Sequence, residues 1–303
     1  MRLDSSLLVN KHKDCPIIII GNAYSLTTIS LEKLDNFITI GCNRIVKIYH
    51  PTYYICADRR PFQQYREQIK RSKSIKLLAT RMFSPNNISE RRRDYPLKEP
   101  AFDWYPFSTQ QTFRDYYSKP DELLVPKNFT SALETSGNIA PPTLLSAIIM
   151  GGSPIGMLGF DMEWESPDRS HFWGKGTDEG SFRFKGDRIA RALHAISVVA
   201  QKRGVDIVNL SPHRGLMDNY FPHYDFEEFP NKKIPAITPL KQNLSIKEQR
   251  AVRAHKVVTR CKQEIQRNNH MRKQVSQSRI QASRRRSASI KAVKMEILRR
   301  KKR

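Results

Sequence analysis

Ile17 to Leu26 reads IIIIGNAYSL, and this stretch constrains the fold most. Four consecutive β-branched residues with no polar interruption suit a central strand buried on both faces of a parallel sheet. Gly21 ends the run with a residue that tolerates unusual dihedrals and lets a ligand approach the backbone. Thr27, Thr28 and Ser30 then offer hydroxyls to cap a following turn. A strand, a glycine turn and a polar loop form the arrangement by which open α/β sheets bind ligands at their carboxyl edge. A tight turn with no ligand satisfies the same residues.

The rest of the chain repeats the pattern. FITI (37–40) runs into Gly41-Cys42-Asn43-Arg44, YYICA (53–57) into Asp58-Arg59-Arg60, and Ile75 to Ala79 reads as a fourth strand. If these strands are parallel, Asn22, Asn43 and Asp58 share one edge and one cleft. From Arg81 to Thr130 prolines, arginines and aromatics are mixed, and only long connections with short helices are read. Periodicity returns at TSGNIAPPTLLSAIIMGG, where Pro141 and Pro142 fall in a first helical turn and Gly151 is a stop. SPIGMLGFD (153–161) is the next buried strand. Asp187 caps a helix with Ile189, Leu193, Ile196 and Ala200 on one face, and VDIVNL (205–210) is the last strand. Strands alternating with helices give an α/β fold with a mostly parallel sheet.

Charge divides the chain. Residues 241–303 hold 21 Lys and Arg against Glu248, Glu264 and Glu296, a net +18 of the total +24. The first 240 residues carry only +6, an ordinary globular balance. The expected organisation is a body over 1–220, a proline-containing linker over 221–240 and a basic, partly helical or disordered tail over 241–303. Cys15, Cys42, Cys56 and Cys261 show no C-x-x-C spacing, which argues against a zinc ribbon and a disulfide scaffold and fits a reducing, cytoplasmic setting. MRLDSSLLVNKHKD lacks the apolar core of a signal peptide. The apolar stretch 144–160 is broken by Gly151-Gly152-Ser153-Pro154, so no membrane span is expected.

Five short motifs occur in a shared order: GNAYSL (21–26), GCNR (41–44), TSGN (135–138), GFDMEW (159–164) and SHFWGK (170–175). In that order the chain resembles the bacterial lipooligosaccharide sialyltransferase-like family and related uncharacterised bacterial and phage proteins of the same fold. A pterin pyrophosphokinase group of archaeal type is a more distant likeness. The resemblance covers roughly residues 17–216 and is weakest over 62–130. It implies a single variant Rossmann-type domain with a lid over about 165–185. It also implies a nucleotide-sugar donor, a CMP-linked sugar being one candidate, and no required cofactor or metal.

Carried over by position, Gly21, Asn22 and Ser25 line the nucleotide phosphates and Asn43 contacts the nucleotide. Thr135, Ser136 and Gly137 hold the donor from the opposite wall. The chemistry of these residues agrees: amides and hydroxyls hydrogen-bond a base or ribose, and the helix after Ser136-Gly137 offers backbone donors to an anion. Turn formation is the competing role for both asparagines.

The family places a basic His in the lid. By the spacing of the SHFWG run its equivalent here is Lys175, with His171 four residues earlier. A lysine acts as a base only when burial or a cationic neighbour lowers its pKa, whereas a histidine already titrates near neutrality. Both are candidate catalytic residues, and simple lid packing by His171 and Trp173 is the alternative. The family tyrosines that steady the leaving phosphate are missing, and Trp164 stands near one of them. Asp58, Asp161 and Glu163 could orient a sugar or bind a metal, but no close ligand spacing supports a metal site.

The tail is a polyanion ligand by charge alone. It has no aromatic residue for base stacking, so backbone-directed nucleic-acid binding is expected. Anionic lipid and acidic proteins compete for it, though no long apolar face accompanies the basic residues. The expectation is a glycosyltransferase-like enzyme held at a polyanion, with a modified base of phage-type DNA as one acceptor. The second expectation is a catalytically inactive nucleotide-binding module tethered to nucleic acid.

Overall fold

The structure is a computed structural model. It describes residues 1–84, 97–110, 116–162, 169–174 and 179–229, with side chains of the last segment described from 186 onward. The chain divides into two units, Met1–Leu240 and Lys241–Arg303. The second unit, which holds the basic tail, lies wholly outside the described residues, as does residue 230 onward of the expected linker.

Among the described residues, nine strands and five α-helices build the body. In chain order they are β1 (Ile17–Ile20), β2 (Ile38–Cys42), β3 (Tyr53–Cys56), α1 (Arg59–Gln64), α2 (Arg66–Arg71), β4 (Ile75–Ala79), β5 (Tyr105–Phe107), β6 (Thr109–Gln110), α3 (Asp121–Leu124), β7 (Leu133–Glu134), α4 (Ala140–Ile149), β8 (Ile155–Leu158), α5 (Glu179–Gln201) and β9 (Ile207–Asn209). The main sheet has seven strands in the order β5-β4-β3-β2-β1-β8-β9, every pair parallel. A separate parallel pair joins β6 to β7. This is the Rossmann-like α/β architecture.

The four isoleucines of β1 are all fully buried because both sheet faces are covered. Ile17 and Ile19 pack with Leu144, Ile148, Ile189 and Leu193 of α4 and α5. Ile18 and Ile20 face the other way, onto Leu26, Leu34, Phe62 and Ile69. Alternate side chains of a strand point to opposite faces, so an unbroken apolar run is what two covered faces require.

Strand order places the ligand edge. The chain moves outward from β1 to β5, then returns to the far side of β1 for β8 and β9, so the order reverses at β1/β8. Open sheets bind ligands beyond the carboxyl ends at such a point. Helix α4 leads straight into β8, and its last carbonyls accept from the segment before β1: Asn10 N–H to Ile149 O at 2.9 Å and His12 N–H to Met150 O at 2.8 Å. Its amino end, with Thr135-Ser136-Gly137, therefore stands at the carboxyl edge.

Three expectations change. Asp187 is not a helix cap, because α5 begins at Glu179; Asp187 instead accepts from Arg191 Nε at 2.8 Å within the helix. The stretch 81–130 is not strandless: β5 pairs with β4 despite Pro106, as an edge strand permits. Residues 221–229 are not linker, since Phe221, Tyr224 and Phe229 are buried and Tyr224 N–H donates to Asn209 O at 3.0 Å.

Candidate functional site

The site is built where β1, β2 and β8 end. Gly21 N–H still donates to Leu158 O at 2.8 Å, and Ala23 N–H to Gly159 O at 2.9 Å. A Cβ on Gly21 would stand 2.1 Å from the Gly159 carbonyl oxygen and 2.9 Å from the Phe160 ring. The glycine is therefore demanded by the neighbouring strand, which sits where a ligand's approach was expected to explain it.

Asn22 follows at once. Its Nδ2 donates to Cys42 O at 3.2 Å and lies 3.2 Å from Cys42 Sγ. A carbonyl only accepts, so the nitrogen is the atom that faces it. The other amide atom, Asn22 Oδ1, is buried and without a hydrogen-bond partner. A buried acceptor left unpaired costs roughly 1–3 kcal/mol, and such a group calls for an explanation. Asn43 begins the next turn with φ 51°, a left-handed conformation that Asn tolerates. The Cys56 thiol donates to Asn43 Oδ1 at 3.7 Å and to Asp58 O at 3.3 Å. Each crevice asparagine thus contacts a buried cysteine. Burial drives the Cys42 thiol far above its usual range and Cys56 up to about 12, so both stay protonated and unreactive.

Ser25 departs from its expected role. It is fully buried, its hydroxyl donates to Asp161 Oδ1 at 2.7 Å, and its N–H lies 3.3 Å from Oδ2. Ser211, after β9, donates to the same Oδ1 at 2.8 Å. Ser25 therefore pins the β1 loop to β8 and β9 and does not present its hydroxyl to phosphate. Burial raises the Asp161 pKa, while the two serines and the nearby His213 oppose that rise.

The opposite wall is a strained turn. Ser136 (φ 48°) and Gly137 (φ 76°) are both left-handed. The buried Glu134 carboxylate holds the first by accepting Ser136 N–H at 2.8 Å, and Arg188 donates to Ser136 O at 2.6 Å. Thr135 Oγ1 donates to Gln110 O at 3.2 Å and accepts Gly137 N–H at 3.3 Å. Asn138 Oδ1 then accepts Ala140 N–H at 2.8 Å, starting α4. Thr143, one turn on, lies against the Cys42 thiol, which puts this wall beside the β2 end.

Residues 169–174 complete the edge. Phe172 N–H donates to Asn22 O at 3.2 Å, and His171 and Gly174 bond backbone to backbone around a tight turn. The His171 ring stacks on Trp173 at 4.2 Å, and Arg44 lies over Trp173 at 4.3 Å. Ser170 Oγ is 3.0 Å from His171 Nδ1. Burial, with a smaller contribution from the Arg44 charge, lowers the His171 pKa to about 4, so the imidazole is neutral at pH 7.

No significant match to the chain emerges from family models, curated proteins or solved structures. The site must therefore speak through its own geometry. It brings Gly21, Asn22, Asn43, Thr135, Ser136, Gly137 and His171 to one sheet edge. Lys175, Trp164 and Glu163 lie outside the described residues. Asp58 is drawn to Arg81 at 3.5 Å, away from Asp161's serines. Among the described residues no three His, Cys, Asp or Glu side chains are placed to hold a metal ion, and no helix is long and apolar enough to cross a membrane. Sequence reasoning missed Ser211, Glu134, Arg188 and the two cysteines as holders of the site. Cys42 alone carried a signal, as the residue before Asn43 in GCNR.

Proposed function

We propose that the body binds a nucleotide-activated sugar at the carboxyl edge of β1 and β2 and transfers that sugar to an acceptor. The observation that carries the reading is Asn22: its side-chain nitrogen is committed to Cys42, its side-chain oxygen Oδ1 is buried and unpaired, and its backbone oxygen accepts from Phe172 N–H of the His171 turn. A ribose hydroxyl or a base amino group supplies the donor that Oδ1 lacks. The N–H groups of Ser136, Gly137 and Ala140 are held within the chain by Glu134, Thr135 and Asn138, contrary to the expectation that they are offered to an anion, so only the dipole of the α4 amino end attracts phosphate at this wall.

In the transfer, the acceptor oxygen forms a bond to the anomeric carbon. The bond from that carbon to the phosphate oxygen breaks, and its electron pair leaves with the nucleotide. The acceptor proton passes to the neutral His171 imidazole, with Lys175 as the alternative base. No metal or other cofactor is needed for this step. The tail, residues 241–303, holds the enzyme at nucleic acid by its +18 charge. Free thiols at Cys15, Cys42 and Cys56 fit a cytoplasmic home.

A second reading is a nucleotide-binding module without turnover. The His171 pKa favours it, since a base near 4 drives proton abstraction weakly. A thermal-shift panel of nucleotides and nucleotide sugars tests the binding that both readings share. A rise in Tm with at least one nucleotide sugar, lost in Asn22→Ala, is expected; no rise with any of them would overturn both readings. Slow donor hydrolysis, abolished in His171→Ala while the Tm shift survives, marks the enzyme. Binding without hydrolysis marks the module.

A further inference from the structure

The carboxyl edge of β2, β3 and β4 carries a set of arginines, of which Arg44 also borders the His171 turn. Arg44 follows β2, Arg59 and Arg60 open α1 directly after β3, and Arg81 follows β4. Neighbouring strands lie roughly 5 Å apart, so these cations form a row along adjacent strand ends. Asp58 is the acid within that row, and it pairs with Arg81. Among the described residues no carboxylate pairs with Arg44 or with the exposed Arg60. Arg44 instead lies 4.3 Å from the partly exposed Trp173 ring and 5.9 Å from the buried Tyr65 ring.

Like charges gathered along one edge repel one another, and Arg44 and Arg60 are the two of this row with no carboxylate partner among the described residues. Guanidinium groups match phosphate geometry and stack on rings. Arginines interleaved with aromatics are what grooves for single-stranded nucleic acid use. A membrane surface would ask for exposed apolar side chains among the cations. Of Met1, Leu7, Ile48 and Leu123, the exposed large apolar residues among those described, only Ile48 is near the row in sequence, and one side chain makes no inserting face.

We propose that this edge docks the acceptor, and that the acceptor is a single-stranded nucleic acid laid across β2–β4 with its reacting group at the His171 turn. The inference rests on the donor reading above for its chemistry, but the docking face can be tested separately.

Ultraviolet cross-linking of the full chain to an oligothymidylate, followed by peptide mass spectrometry, reads the contact directly. Adducts on the peptide holding Trp173 are expected beside those from 241–303; adducts confined to 241–303 would overturn the proposal. Fluorescence anisotropy against salt gives a second measure. Arg60→Ala removes an exposed side chain, and the slope of log K against log salt should shrink by about 0.7 for each strand phosphate released. An unchanged slope would count against the proposal. Arg60-dependent binding to phosphatidylserine vesicles without any to the oligonucleotide would reassign the face to a membrane and overturn it too. If nucleotide sugars give no thermal shift while cross-links appear at Trp173, the donor reading fails and the docking face stands.

Discussion

Ser25 and Asp161, 136 positions apart, are joined by a 2.7 Å hydrogen bond at the switch point of the sheet. The same carboxylate oxygen accepts from Ser211, so one partly buried acid fastens the loops after β1 and β9 to the end of β8. Ser25→Ala leaves part of that acid unsatisfied and should lower stability by about 1–3 kcal/mol, read by urea unfolding. Ser211→Ala should cost a similar amount, and the double variant should depart from additivity because both serines serve one group.

Asp161 also has a pH signature. Its pKa is raised in the fold above the ordinary 3.8, so the folded protein holds this proton more tightly than the unfolded chain does. The penalty for burying its charge is complete above the folded pKa and is relieved as pH falls toward 3.8. Asp161→Asn has no such proton. The stability of the wild type relative to Asp161→Asn should therefore improve as pH is lowered from 7 into the acid range, measured by denaturant unfolding at several pH values.

Gly21 and Gly204 make a matched pair of tests. A methyl at Gly21 meets the Gly159 carbonyl at 2.1 Å, backbone that cannot step aside without parting β1 from β8. Gly21→Ala should cost about 3 kcal/mol or more, or prevent folding. Gly204 has φ +78° with nothing within 4 Å of an added Cβ, so Gly204→Ala should cost only the left-handed strain, about 1–2 kcal/mol. Thermal or chemical unfolding of the two variants side by side checks the ranking.

His171 should titrate near 4 by NMR, against the usual 6.5. Arg44→Gln should move that pKa upward but leave it below 6.5, because burial is the larger cause. The unfolded chain takes up this proton first. Stability from His171 is thus whole above 6.5 and is lost as pH falls toward about 4, a loss that His171→Asn should not show.

The sheet was legible because its strands are apolar runs with abrupt polar ends. Ile17–Ile20, Tyr53–Cys56 and Ile75–Ala79 fall within the expected runs to within a residue. The prolines at the start of α4 and the stop near Gly151 also held, since both act through local backbone chemistry. β5 was not legible. Three residues with a central proline look like loop until a neighbouring strand supplies their partners.

In the site, the residues that face the edge were visible and the residues that hold them were not. Asn22, Asn43 and Ser136 stand at strand or helix ends, where sequence pattern points. The pairing of Ser25 with Asp161, or of Cys56 with Asn43, depends on which strands become neighbours. Asp187 looked like a cap because it precedes an apolar helical face, yet α5 starts eight residues earlier.

β1 pairs with β2 on one side and with β8 on the other, and Ile20 and Ile155 are separated by 135 positions. At synthesis rates of about 5–20 residues per second, roughly 7–27 s pass between the emergence of β1 and that of β8. Throughout that interval the four isoleucines offer an open strand edge, the kind that recruits other chains. The nascent chain must be shielded there, and slow translation or scarce chaperone should send this protein into inclusion bodies.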